Sequence, residues 1–161
     1  MKIREKKEEV QEEVKQLVVF RLGDEEFGMD ILKAKSIETL DQGITRVPKA
    51  PAFVEGVINL RGDIIPIVDL RKRFNLRSSD INPDTRIIIV EVTENDVGLM
   101  VDSVNEVIKV PVSSIEPAPA VTKGIDTVFL EGVAKVDTRL VVLLNLERTL
   151  TPEEVSSLEQ L

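Results

Sequence analysis

The apolar residues of this chain gather in short runs rich in β-branched side chains, separated by polar turns. The clearest example is Glu55 to Leu70, where two apolar arms, Val57 to Leu60 and Ile64 to Val68, meet through Arg61-Gly62-Asp63. β-Branched residues suit a pleated surface and glycine supplies the turn geometry, so this stretch predicts a β-hairpin. The pattern then recurs. Glu131 to Leu150 repeats Glu55 to Phe74 without gaps: Glu55-Gly56-Val57 matches Glu131-Gly132-Val133, Asp69-Leu70 matches Asn145-Leu146, and Lys72 matches Arg148. Leu17 to Met29 aligns in the same way on Ile87 to Leu99. Each of these opens on a continuous apolar run, crosses an acidic turn and resumes before Gly28 or Gly98. Four matched segments in the order A-B-A′-B′ indicate a duplicated unit of about seventy residues, too few copies for a solenoid. Two similar small β modules packed together are expected, each with its own core and related by a pseudo-rotation.

The remaining punctuation follows the same plan. Met1 to Gln16 is densely charged with Ile3, Val10, Val14 and Leu17 at helical spacing, which predicts a flexible or thinly docked helical tail. Leu17 to Leu22 reads as a buried strand, Gly23 to Glu26 as a turn, and Phe27 to Asp30 as the start of the next strand. Ile31 to Leu40 suits a helical turn or a strand; a short turn followed by a strand is expected. Pro48 and Pro51 mark a loop, Leu70 to Phe74 one helical turn, and Asn75 to Pro83 a polar linker. Strands are expected over Arg86 to Val92, Val97 to Asp102, Val104 to Val110, Val128 to Val136 and Leu140 to Leu144. Pro111, Pro117 and Pro119 mark an irregular stretch running to Gly124. Thr151, Pro152 and Glu154 form a capping box for a C-terminal helix over 151–161, with Val155, Leu158 and Leu161 on one side.

Composition narrows the function. The chain has 161 residues with a net charge of −8, which argues against nucleic-acid partners and an anionic membrane surface. No apolar run approaches the eighteen residues of a membrane span, the N-terminus does not resemble a signal peptide, and the cytoplasm is the expected compartment. His, Cys, Trp and Tyr are all absent. That removes the commonest general base, metal ligand and strong nucleophile, and leaves no stacking platform for bases. Asp24-Glu25-Glu26 and Glu94-Asn95-Asp96 occupy equivalent turns, but adjacent acidic residues in a hairpin turn ordinarily face water rather than a metal. Nothing resembles a phosphate cradle, and Arg61-Gly62-Asp63 reads as a glycine turn with two solvated charges. No catalysis, cofactor or metal is expected; sheet edges and clefts offer docking instead.

Three segments carry a resemblance: FRLGDEEFGMDILKAKSIE (Phe20 to Glu38), VPKAPAFVEGVINLRGDIIPIVDLR (Val47 to Arg71) and IEPAP (Ile115 to Pro119). They closely resemble the CheW family of bacterial chemotaxis coupling proteins, over about Leu17 to Leu150. The second block is shared with CheV and the regulatory domain of the kinase CheA. This chain has no kinase, phosphotransfer His or receiver domain, so the free-standing adaptor fits. A generic β-barrel binding module, or a regulatory fragment with unrelated partners, is the alternative.

The resemblance implies an all-β fold of two packed SH3-like five-stranded barrels, with short helices and a C-terminal helix. The implied layout is barrel 1 over about 23–84 and barrel 2 over 17–22 plus 85–150, the first strand crossing over. It implies an adaptor, monomeric when isolated, between chemoreceptor cytoplasmic tips and CheA, in arrays at the inner face of the membrane. The receptor helix would lie in a groove matching Val18, Met29, Ile31, Ala34, Ile37, Val101 and Val104, beside Arg61 and Gly62. The kinase would contact Thr85, Arg86 and Ile87, with a ring contact around Glu116, Ala120 and Val121. Many relatives carry a carboxylate where this chain has Ser36. Glu38, two residues on, would then be the partner of Arg61.

Overall fold

The computed structural model describes residues 13–41, 43–77, 80–119 and 124–158 in full and the backbone of 121, 122 and 159. The strands are β1 (Val14–Leu22), β2 (Glu25–Asp30), β3 (Ala34–Thr39), β4 (Val54–Leu60), β5 (Asp63–Asp69), β6 (Arg86–Val92) and β7 (Asn95–Val101). They continue as β8 (Ser103–Pro111), β9 (Ile115–Glu116), β10 (Val121–Thr122), β11 (Ile125–Asp126), β12 (Leu130–Val136) and β13 (Arg139–Leu144). Three short helices follow the hairpins: α1 (Leu70–Arg73), α2 (Leu146–Thr149) and α3 (Pro152–Glu159).

Two sheets hold almost all the strands, in the orders β8-β1-β2-β13-β12-β9 and β3-β6-β7-β5-β4. Each forms an SH3-like barrel. An isolated bridge between Thr45 and Val57 stands beside β4 where β9, pairing Glu116 with Val133, stands beside β12. The duplication is exact enough to be read from the registers. Gly28 pairs in parallel with Leu143, and Gly98 with Ile67. The bulge at Val54/Gly56 recurs at Leu130/Gly132, and the bulge at Ala34/Ser36 recurs at Val104, opposite Phe20.

The two copies exchange their first hairpins. β1 and β2 lie in the sheet of β12 and β13, while β6 and β7 lie in the sheet of β4 and β5. The expected division at 84/85 therefore does not follow the sheets: one barrel takes residues 34–69 and 86–101, the other 14–30 and 103–144. The crossover of the first strand holds, but β2 crosses with it, because a two-residue turn cannot separate the hairpin's strands.

Alternation along the strands explains why the apolar runs are unbroken. Leu17 and Val19 of β1 join Val110, Ala134, Val141 and Leu143 inside one barrel. Ile87 and Ile89 of β6 join Ile65, Ile67 and Met100 inside the other. The intervening residues, Val18, Phe20 and Leu22 on β1 and Ile88, Val90 and Val92 on β6, belong to a third and larger cluster shared by the barrels. Strands buried on both faces lose the apolar-polar alternation of a one-sided sheet. The expectation of two separate cores is thus corrected: each small core exists, but the main one lies between the barrels. A barrel this small buries too little by itself, and the shared layer supplies the rest.

Gly28 and Gly98 take the barrel-facing positions beside these cores. A Cβ at Gly98 would stand 2.5 Å from Ile67 Cδ1 and 2.6 Å from Ile87 Cγ2; at Gly28 it would meet Val141 Cγ1 at 3.0 Å. Both glycines are there to admit side chains from neighbouring strands.

All five phenylalanines sit in the shared layer. Phe20, Phe27 and Phe74 stack in succession at ring-centroid distances of 5.9 and 6.3 Å, and Phe129 meets Phe74 at 5.2 Å with its ring tilted by 40°. The Arg73 guanidinium lies 4.7 Å from the Phe53 ring and 5.2 Å from Phe129, the equivalent phenylalanine of the other copy. Arg73 also donates to Thr149 O (2.7 Å) and Glu154 Oε1 (2.8 Å), which fastens α3 to the barrels. The capping box is present: Thr151 N donates to Glu154 Oε1 at 2.8 Å, and Glu154 N to Thr151 Oγ1 at 3.2 Å. Val155 and Leu158 are buried as expected; Leu161 lies outside the described residues.

Three local expectations change. Val14 to Gln16 extend β1 rather than a helix, because β8 pairs with them through Lys109 to Pro111; residues 1–12 lie outside the described residues. The turns are shorter than expected. Thr93-Glu94 and Arg61-Gly62 are two-residue turns with positive φ at both positions, the signature of type I′. Glu25, Glu26, Asn95, Asp96 and Asp63 are accordingly in strands. The proline-marked stretch after Pro111 is not irregular throughout: it holds a 3-10 turn, Val112–Ser114, and β9.

Candidate functional site

β3 and β8 are the outer strands of their sheets and occupy equivalent places, each pairing on one side only. Their bulges place Ala34 and Val104 alike, opposite Val90 and Phe20. Ile31 and Val101 are likewise equivalent, as are Ile37 and Val107. Ile31, Ala34 and Val104 pack half-buried against the shared core, above Val18, Met29 and Val101. Ile37 and Val107 are exposed, at 41% and 48%. The result is an apolar strip built twice over from the same positions of the repeat.

Three of the residues expected to touch a partner do not reach the surface. Val18, Met29 and Val101 are 1–2% exposed, since their parity on β1, β2 and β7 turns them into the shared core. They belong to the shared core against which Ile31, Ala34 and Val104 pack. Val107, on the same edge strand, was not singled out from the sequence. The match of Leu17–Met29 to Ile87–Leu99 continues past its expected end through Ile31/Val101, Ala34/Val104 and Ile37/Val107, and that continuation was the available signal.

At the β4–β5 tip, Arg61 Nη2 lies 3.3 Å from Glu38 Oε2 of β3, the partner expected for it. The tip is held by Gly62 N donating to Asn59 Oδ1 at 2.9 Å. Arg61 is 71% exposed, and such a pair contributes roughly 0.2–1 kcal/mol. Glu38, Arg61, Leu40 and Ile58 line a shallow cavity of about 240 Å³ there.

The residues expected at the kinase contact divide in the same way. Ile87 is fully buried inside its barrel, and Thr85 is buried with its Oγ1 accepting from Asn82 N at 3.0 Å. Neither side chain has surface to offer. Arg86 is half-buried and donates to Pro83 O and Thr85 O. Glu116 is exposed and pairs with Lys135 at 3.1 Å. Ala120 and the side chain of Val121 lie outside the described residues.

Among the described residues no three acidic side chains gather as a metal site. The two acidic turns are instead drawn into ion pairs: Glu26 with Arg139 at 2.9 and 3.0 Å, Asp96 with Lys35 at 2.8 Å. No helix of the described residues is long and apolar enough to cross a membrane. Across the interface between the copies, the Arg71 guanidinium binds the Asp102 carboxylate, which also accepts from Gly23 N at 2.5 Å. Arg71 in turn donates to Arg77 O at 2.6 Å. This ties the β1–β2 turn, the β7–β8 junction and the loop after α1 into one unit.

Fold and surface together define a tandem SH3-like barrel protein with exposed edge strands that carry apolar side chains. A family model described as the CheW-like domain matches residues 16–154. The chemotaxis proteins CheW of Klebsiella aerogenes and Bacillus subtilis are 36% and 38% identical to the chain over 141 residues. Each alignment covers 88% of this chain, and 84% and 90% of those proteins. The crystal structure of the scaffolding protein TtCheW from Thermoanaerobacter tengcongensis superposes with a TM-score of 0.80 at 43% identity, covering 90% of this chain and 93% of that one. The chain belongs to the CheW-like domain family.

Proposed function

We propose that the chain is a non-catalytic chemotaxis scaffold that couples the cytoplasmic tips of chemoreceptors to the histidine kinase CheA, in arrays at the inner face of the membrane. The observation that carries this reading is the repeated apolar surface of Ile31, Ala34 and Ile37 at β3 and of Val104 and Val107 on β8, the outer strands at equivalent places of the two barrels. An amphipathic helix docks in such a strip through apolar residues one turn apart. The names of the relatives support a scaffold, and the absence of His and Cys from the whole chain supports work by surfaces alone. Arg61, Gly62 and Glu38 border the strip at the end of β3. The kinase takes a separate surface near Arg86, and Glu116 a further one.

The test is a paired pull-down with a receptor-tip fragment and the CheA regulatory domain, using Ala34→Asp and Val107→Asp. A carboxylate forced unpaired against an apolar helix costs several kcal/mol, about enough to abolish a micromolar contact. Both variants should lose the receptor fragment and keep the kinase domain. Ala34 is half-buried, so its variant is read together with thermal unfolding; Val107 is exposed and leaves the fold unchanged. Full receptor binding by Val107→Asp, or loss of both partners without unfolding, would overturn the assignment of the strip.

A further inference from the structure

The duplication provides an internal control for surface charge, and at one face the copies disagree. In the barrel of β12 and β13, Arg21 stands directly opposite Glu26 across β1 and β2. Arg139 binds Glu26 and Glu106, so cations and carboxylates there nearly balance. The same backbone positions of the other barrel carry Glu91 for Arg21, Asp96 for Glu26 and Asp63 for Arg139. Glu91 and Asp96 are a directly opposed pair of like charge, an arrangement that costs sheet stability. Among the described residues Lys35 alone answers them, at 2.8 Å from Asp96 and 3.8 Å from Glu91. Asp63 and Glu94 form no ion pair among the described residues.

The face is also concave. α3 follows only the second copy, and its Val155 and Leu158 wall off a cavity of about 670 Å³ shared with Lys35, Asp63, Ile64, Glu91, Glu94 and Asp96. Ile64 presents an apolar side chain at 62% exposure. Leu140, its equivalent, is 48% exposed, so the apolar contact is common to both faces and the missing cations are what differ.

We propose that this cleft docks a basic peptide segment of a partner protein, with an apolar side chain against Ile64 and flanking Lys or Arg groups in the places that Arg21 and Arg139 fill on the other barrel. The fold does not require the negative charge, since the duplicate folds with two arginines there. The opposed carboxylates are relieved when the partner supplies the cations. The chain's net charge of −8 adds long-range attraction for a basic segment. The proposal holds whichever partner the apolar strip serves.

The test uses the full chain and an array of fluorescein-labelled peptides in which two arginines at graded spacings bracket a leucine, read by fluorescence anisotropy. At least one spacing should bind, weakening steeply as salt rises to about 0.3 M. The double variant Asp63→Arg/Glu91→Arg, which installs the charges of the other barrel, should bind that peptide about tenfold or more weakly at an unchanged or raised melting temperature. Glu94→Lys, at an exposed turn, should weaken it in the same direction. The receptor-tip and kinase pull-downs should not change in these variants, which separates this cleft from the strip. The proposal is overturned if no member of the array binds, if the charge-inverted chain binds equally well, or if a glycine in place of the leucine leaves binding intact.

Discussion

Arg73 should be the side chain on which the union of the barrels and the C-terminal helix most depends. It is 16% exposed, faces one phenylalanine from each copy, and donates to Thr149 O and to the capping carboxylate of Glu154. Partly desolvated cation–π contacts are worth about 0.5–2 kcal/mol each, and hydrogen bonds from a charged donor about 1.5–3. Against this stands about 2 kcal/mol of side-chain entropy released on truncation. Arg73→Ala should therefore lose on the order of 3 kcal/mol, which for a chain of this length lowers the melting temperature by about 6–12 °C. Arg73→Lys should recover less than half, because an ammonium cannot lie flat between two rings while reaching both acceptors. Urea unfolding of these variants, alone and combined with Glu154→Gln, gives the coupling directly. A coupling of about 1–3 kcal/mol is expected for groups in one network. If Arg73→Ala costs under about 1 kcal/mol, or lysine restores the full value, the guanidinium is a surface decoration and α3 is held by Val155 and Leu158 alone.

Two further predictions rest on comparing the copies. Gly98→Ala should cost about 1–3 kcal/mol by overpacking, and Gly28→Ala distinctly less, since the nearest contacts to the new Cβ are 2.5 and 3.0 Å respectively; equal losses in thermal unfolding would contradict the close approach of Ile67 and Ile87. Asp69, which caps α1 through Arg71 N at 2.9 Å, is 4% exposed, and burial, with Glu55 nearby, pushes its carboxyl above the ordinary range. A carboxyl raised in the fold penalises stability at neutral pH, and the penalty fades as pH falls through its folded value. Asn145, the equivalent residue, already caps α2, so Asp69→Asn should keep the cap, be at least as stable at pH ~7, and lose this advantage toward pH ~4. A variant less stable at pH ~7, with the gap closing on acidification, would mean that the charge itself holds the helix.

Much of this architecture was legible in the sequence, and the part that was not has a physical cause. The hairpins, the capping box and the repeat could be read because turn chemistry and side-chain alternation are local. The exchange of hairpins could not, because both faces of β1 and β6 are apolar and either copy would have accepted them. The same two-sided burial hid the true surface. Along Leu17 to Leu22 nothing in the residue types says which parity faces a barrel and which faces its neighbour, so Val18, Met29 and Val101 read as contacts when they are core. Thr85 and Ile87 failed likewise, their neighbour Arg86 alone keeping some surface. At the tip of the β4–β5 hairpin the reading held, since Glu38 does meet Arg61 from the face predicted for it.

A duplicated backbone therefore constrains what its side chains can mean. Positions that agree between copies, such as Gly28 with Gly98 or Ala34 with Val104, answer to the fold or to a surface on which both copies act together. Positions that disagree within the same register are released from the fold, because the other copy shows that a different residue folds equally well there. Arg73, whose equivalent is Thr149, disagrees because α3 follows only the second copy and needs an anchor from the first. Asp63 and Glu91, whose equivalents are Arg139 and Arg21, disagree without anchoring any element: Glu91 stands opposite Asp96 across β6 and β7, and Lys35 is the one cation paired with these two among the described residues. A departure that the fold neither needs nor repays within the chain is best explained by something outside it, and that is what directs attention to the acidic cleft.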